Sequence, residues 1–149
     1  MTHETFMARA MDLARLAANE GEAPVGCVVV REGVIVGRGR NNREASQNAL
    51  GHAELNAISE ACQAIGFWRL PDCDIYVTLE PCPMCAGAII NSRLARLFYG
   101  AKDPKAWACG SVIDLFSYPF NHKPTVSGGL LEKESSELLT GFFRSLRSK

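Results

Sequence analysis

Over Thr5 to Asn19, apolar residues return every three to four positions at Phe6, Ala10, Leu13, Ala14 and Ala17, the period of an amphipathic helix. Gly21 follows, at a place where glycine suits a helix end. The pattern then changes. "VGCVVVREGVIVGRGRN" is rich in β-branched residues, interrupted at Glu32-Gly33, and reads as two strands of a hairpin. Residues 53 to 66 return to the helical period, "CDIYVTL" reads as a strand, and Cys82 to Asn91 is a second helix opening at Cys-Pro. "RLARLFYG" is a further strand, residues 101 to 125 read as a loop region, and Leu130 to Arg147 closes the chain as an amphipathic helix. Strands alternating with helices predict an α/β fold, with a central mixed sheet covered by helices on both faces. Nothing in the pattern orders the strands. Without repeats, low-complexity tracts or linker-like shifts, residues 1–149 read as a single domain.

Composition narrows the function classes. Sixteen basic and sixteen acidic residues cancel, so any nucleic-acid role needs a local basic surface that the net charge hides. Charged residues are scattered through the amino-terminal segment, and no run of about 18 apolar residues occurs to span a membrane. The expected location is the cytoplasm. There, six cysteines are expected as buried thiols or metal ligands rather than disulfides. Cys27 and Cys62 read as small buried hydrophobes, and Cys73 and Cys109 as loop thiols.

Cys82-Pro83-Met84-Cys85 is different, because it sets two thiols one turn apart at a helix start, where backbone N–H groups favour thiolates. No second such pair exists to complete a four-cysteine site. Of three histidines, His3 falls in a terminal segment expected to be mobile and His122 in a loop, whereas His52 opens a helix. Two cysteines and one histidine leave a fourth zinc position open, which is the count of a catalytic site. Glu54, two residues after His52, can then reach that position and move protons between water and a leaving group. Read alone, the His-x-Glu pair is an ordinary polar helix start, and a lone Cys-x-x-Cys is equally a redox pair; together they favour metal chemistry.

"HAELNAI" followed by "TLEPCPMCAGAII" resembles the zinc-dependent deaminase signature. Nearly the whole chain is similar to the bacterial tRNA-specific adenosine deaminases, through "EAPVGCVVV", "GRGRNN", "YVTLEPCPMCAGAIINSRLARLFYGAKDPKA", "GSVIDLF", "NHKP" and "GGLLEKESSELLTGFFRSLR". The resemblance implies a three-layer α-β-α cytidine-deaminase-like fold, a homodimer with one Zn²⁺ per subunit, and conversion of adenosine to inosine at the first anticodon position of tRNA. It implies zinc ligation by His52, Cys82 and Cys85 and proton transfer by Glu54. It also implies that Asn41 reads a flipped base, that Val25 and Ala53 line the purine pocket, and that Asp103 contacts the neighbouring sugar-phosphate. Phe142, Phe143, Arg144 and Arg147 match a helix bordering the anticodon loop, although plain core and solvent faces would give the same spacing. A phosphate-binding patch would draw on Arg93, Arg96, Lys102, Lys105, Arg144, Arg147 and Lys149.

Two stretches depart from the family pattern. Trp107 stands where relatives carry a small residue, and "SQNALGHAE" replaces the usual approach to the histidine, which leaves the loop before His52 open. Two rival readings stand beside the tRNA enzyme. One is a deaminase of a free nucleobase or nucleoside such as guanine, with the same zinc site; the other is a zinc-stabilised binding module without catalysis.

Overall fold

The computed structural model describes residues 1–103 and 108–147. Trp107, Lys105 and Lys149, singled out in the sequence, lie outside the described residues. Helix α1 (His3–Asn19) leads into strands β1 (Gly26–Arg31) and β2 (Val34–Arg40). A short helix α2 (Arg43–Ser46), helix α3 (Ala53–Ile65), strand β3 (Cys73–Leu79), helix α4 (Pro83–Asn91) and strand β4 (Arg96–Ala101) follow. A 3-10 turn (Leu115–Ser117), strand β5 (Thr125–Ser127) and helix α5 (Glu132–Arg147) complete the order.

The strands form one mixed sheet in the order β2-β1-β3-β4-β5. β1 is antiparallel to both β2 and β3, whereas β3–β4 and β4–β5 are parallel. The hairpin turn falls where the sequence places it: Glu32 and Gly33 both have positive φ, 50° and 77°, which matches the twist of a two-residue hairpin loop. Residues alternate across the sheet as a pleat requires. Cys27, Val29, Ile75, Val77, Leu97 and Tyr99 face a core shared with α3 and α4. Val28, Val30 and Tyr76 face the opposite way, against Phe6, Met7 and Ala10 of α1 and Leu130 and Leu131 before α5. With both faces covered, each buried Val or Ile contributes about 1.5–3 kcal/mol, so burial dominates over strand pairing in holding the layers together. α3 lies hard against β2: a Cβ on Gly39 would fall 2.6 Å from the Ala57 backbone nitrogen, so this approach requires glycine.

Three sequence expectations change. His3 is not in a mobile tail; it begins α1, its Nδ1 is 2.6 Å from the Tyr76 hydroxyl, and its ring stacks on Phe98. Cys73 is not a loop thiol but the buried first residue of β3. The region from 101 to 125 is not featureless, since it holds the 3-10 turn and the start of β5. His122 is a structural hydrogen-bonding residue, its Nε2 lying 2.6 Å from the Leu94 carbonyl oxygen.

Register decides where chemistry can sit. Gly26 pairs with Arg40, Cys27 with Val77, and Leu79 with Ala101. The start of β1 and the ends of β2, β3 and β4 therefore share one edge of the sheet. In open α/β sheets the carboxyl ends of parallel strands are where ligand crevices form.

Candidate active site and metal centre

At that edge two helices begin side by side. His52 occupies the N-cap position of α3 in extended conformation, and Cys82 the N-cap position of α4, with Pro83 as the first helical residue. Proline suits that position because its missing N–H has no intrahelical role there. The Cys82 Sγ accepts a hydrogen bond from the Cys85 N–H at 3.5 Å. His52 Nδ1 lies 3.5 Å from the Sγ atoms of both Cys82 and Cys85. All three donor atoms lie within 4.8 Å of one another, the one such group found among the described residues.

The donor set fits zinc. A tetrahedral site with zinc–nitrogen and zinc–sulfur distances of about 2.0 and 2.3 Å has nitrogen–sulfur edges of about 3.5 Å. Both edges have that length here. One imidazole and two thiols also form the soft donor set that zinc favours over magnesium or calcium. Hydrogen bonding from Cys85, helped by His52 and opposed by burial, brings Cys82 down to about 4. The same bond to Cys82 pushes Cys85 far up, with burial adding to it. The partnership with Cys82 raises His52.

Glu54, in the first turn of α3, is only 4% exposed. Burial pushes its carboxyl up to about 7, against the opposing pull of its backbone hydrogen bond. It faces a cavity of about 650 Å³ at the sheet edge. Val25 and Asn41 line that cavity with His52 and Cys82; Lys102 and Asp103 form a second side, and Phe142, Phe143 and Arg147 of α5 a third. Asn41 is oriented by the fold: its Oδ1 accepts the Ala53 N–H at 2.9 Å, while its own N–H donates to the Val25 carbonyl. Ala53 differs from expectation. Its side chain is fully buried in the core and is not among the cavity-lining residues, so it acts on the site through its backbone. Arg144 does not line the cavity either, and Cys85 lies buried behind Cys82.

The loop before His52, whose sequence departs from the family pattern, is held from below. The Glu22 carboxylate, 3% exposed, accepts hydrogen bonds from the N–H groups of Glu44 (3.0 Å) and Ala45 (2.8 Å) at the start of α2. Glu22 and Glu80, both cavity-lining carboxylates, escape sequence reasoning. The available signal is a carboxylate set next to proline or alanine-proline within apolar surroundings, in "GEAPVG" and "VTLEPC".

A mixed sheet between helical layers, with one imidazole and two thiols at adjoining helix starts and a buried carboxyl beside them, defines the class of metal-dependent deaminases. The sequence profile of the MafB19-like deaminases matches residues 1–147, and the chain belongs to that family. The tRNA-specific adenosine deaminase of Bacillus subtilis (strain 168) is 46% identical over 147 residues, covering 98% of this chain and 91% of the relative. A solved structure from work on A-to-I editing by tRNA:A34 deaminases at the wobble position of transfer RNA superimposes with a TM-score of 0.88 at 46% identity, over 91% of this chain and 99% of that one. The guanine deaminase of Bacillus subtilis is more distant, with a TM-score of 0.68 at 36% identity, over 100% of this chain and 96% of that one.

Proposed function

We propose that the protein converts adenosine to inosine at the first anticodon position of tRNA. The observation that carries this reading is the placement of α5: aromatic and basic residues of the last helix stand on the wall of the cavity that holds Glu54. A free base would need no such wall, whereas an RNA loop offers bases to stack and phosphates to pair with. Similarity to the Bacillus subtilis tRNA-specific enzyme over nearly the full chain supports the same substrate.

His52, Cys82 and Cys85 would hold one zinc ion per chain, and when bound that ion supplies activation of water at neutral pH. Val25 gives the flipped base an apolar wall. With its Oδ1 committed to Ala53, Asn41 has its Nδ2 left to donate to an acceptor on the base edge. Glu54 accepts the water's proton, and a cation beside it favours that ionised, accepting form. As the water oxygen bonds to C6 of the adenine, the carboxyl delivers that proton to the ring nitrogen N1; it then takes the second proton from the same oxygen and passes it to the exocyclic amine, so that the C6–N bond breaks and ammonia leaves. Lys102 and Asp103 meet the adjoining sugar-phosphate. An unpaired loop nucleotide is easier to extrude than a stacked, paired one. Because the net charge is zero, attraction for phosphate comes from local groups such as Lys102 and Arg147, and binding weakens as salt rises. The same reading includes a homodimer, as in the family resemblance, and the cytoplasm, where tRNA resides. No described helix is long and apolar enough to cross a membrane.

The test is inosine formation on an anticodon stem–loop with adenosine first in its anticodon, alongside free guanine and adenosine. We expect turnover of the stem–loop alone, reduced about 10²–10⁴-fold or more in Glu54→Gln with zinc content unchanged. Turnover of guanine with an untouched stem–loop would instead favour the small-substrate reading, for which the 36% identity to a guanine deaminase speaks. Undiminished RNA affinity without turnover of any substrate would favour a binding module.

A further inference from the structure

Glu80 is a carboxylate that the reaction above does not use. It sits between β3 and Cys82 and is 1% exposed. Among the described residues, its side chain accepts hydrogen bonds from Asp103, Cys109 and Ser111. Oε1 accepts from the Asp103 N–H at 3.1 Å and from the Ser111 hydroxyl. Oε2 accepts from the N–H groups of Cys109 at 2.9 Å and Ser111 at 3.1 Å. Main-chain bonds run alongside: the Glu80 N–H donates to the Ala101 carbonyl at 2.8 Å, and the Ala108 N–H to the Pro81 carbonyl at 3.0 Å. One buried side chain thus ties the segment presenting Cys82 to the segment presenting Lys102 and Asp103.

Those donors need an acceptor at both ends of the side chain. A carboxylate offers two oxygens and no hydrogens, whereas an amide of the same shape must turn its NH₂ toward one of the N–H groups. Cys82 has separate supports in the N-cap position of α4 and the Cys85 N–H. At Asp103 the backbone N–H is held by the Glu80 carboxylate itself.

We propose that Glu80 is a positioning residue: it sets the backbone at Asp103 so that Lys102 and Asp103 meet the sugar-phosphate of the RNA, and it governs RNA binding rather than metal binding or proton transfer. The inference rests on the RNA reading given above.

The experiment compares the zinc-loaded full chain with Glu80→Gln, Asp103→Ala and the double variant on the anticodon stem–loop, with zinc per chain measured in each. Loss of one hydrogen bond to a charged group predicts a KM about tenfold higher for Glu80→Gln. Its kcat should stay within about twofold, the signature of lost ground-state binding. In the Asp103→Ala background the same substitution should cost less than in the wild type, because part of its effect runs through the Asp103 side chain. A fall in kcat at unchanged KM, a loss of zinc in step with activity, or full additivity with Asp103→Ala overturns the proposal. Should Glu80→Gln fail to fold, Ser111→Ala carries the test: a raised KM at unchanged kcat and zinc supports it, and an unchanged KM overturns it. A wild-type chain that leaves the stem–loop untouched overturns the RNA reading and this inference together. A wild-type chain that is active, with KM indifferent to Glu80→Gln, overturns the inference alone.

Discussion

Asn41 has two tasks that a single substitution would confuse. Its Oδ1 receives the Ala53 N–H at the start of α3, and its amide end belongs to the cavity. Asn41→Ala removes both, at a cost of about 1 kcal/mol for the lost helix-start acceptor. That corresponds to a Tm lower by about 2–4 °C for a chain of this size. Asn41→Asp keeps an acceptor for Ala53 and loses the donor, so we expect an unchanged melting temperature with deamination reduced about tenfold or more. Thermal melts and stem–loop kinetics on the pair check this; an Asn41→Asp variant with full activity would show that the base is read elsewhere. At this scale the grouping of His52, Cys82 and Cys85 was legible, because Cys-x-x-Cys at one helix start and His-x-Glu at another, each ambiguous alone, favour one site when taken together. Glu22 and Glu80 were not. Apart from the Ser111 hydroxyl, the partners described for them are backbone N–H groups of residues 44, 45, 103, 109 and 111, and a backbone donor leaves no mark on the identity of the residue that carries it.

Among the elements, those long enough to show a period were readable and the short ones were not. β3 occupies the residues of "CDIYVTL", whereas α2, with four residues, and β5, with three, take their shape from neighbours rather than from any period. β5 is exposed throughout and owes its conformation to pairing with β4. The sheet face that packs against α1 carries an aromatic stack in which the rings of Tyr76 and Phe98 lie 4.8 Å apart. Burial pushes the Tyr76 phenol up to about 12. The unfolded chain releases that proton near pH 10, roughly the ordinary tyrosine value, so between about pH 10 and 12 it holds fewer protons than the folded chain. Stability therefore falls as pH rises through that window and is unaffected by this group below it. Tyr76→Phe should flatten the alkaline limb, while costing about 1 kcal/mol at neutral pH for the lost bond to His3. Urea midpoints at pH 8, 10 and 11 decide the matter; equal slopes in both proteins would rule out Tyr76 as the source.

For the molecule as a whole, zinc held by the donor group at the starts of α3 and α4 would add to stability. At zinc concentrations 100-fold above Kd, the folded state should gain about 2.7 kcal/mol. Chelation is then expected to lower Tm by roughly 5–10 °C, and zinc but not magnesium should restore it. A melting temperature indifferent to chelator would separate the donor group from the stability of the fold. The sequence could not foretell the cavity itself, because its walls come from stretches as far apart as Glu22, Asp103 and Phe143, brought together by a strand order that no local pattern encodes.

That dispersal has a consequence in time. The metal donors lie no further along the chain than Cys85, whereas the α5 wall begins at Glu132 and runs to Arg147. At synthesis rates of about 5–20 residues per second, the donors are made roughly 3–12 s before α5 is finished. For that interval the growing chain has its donor residues and lacks one side of its cavity. A nascent chain thus carries all of its candidate zinc donors before it carries the helix proposed to grip RNA.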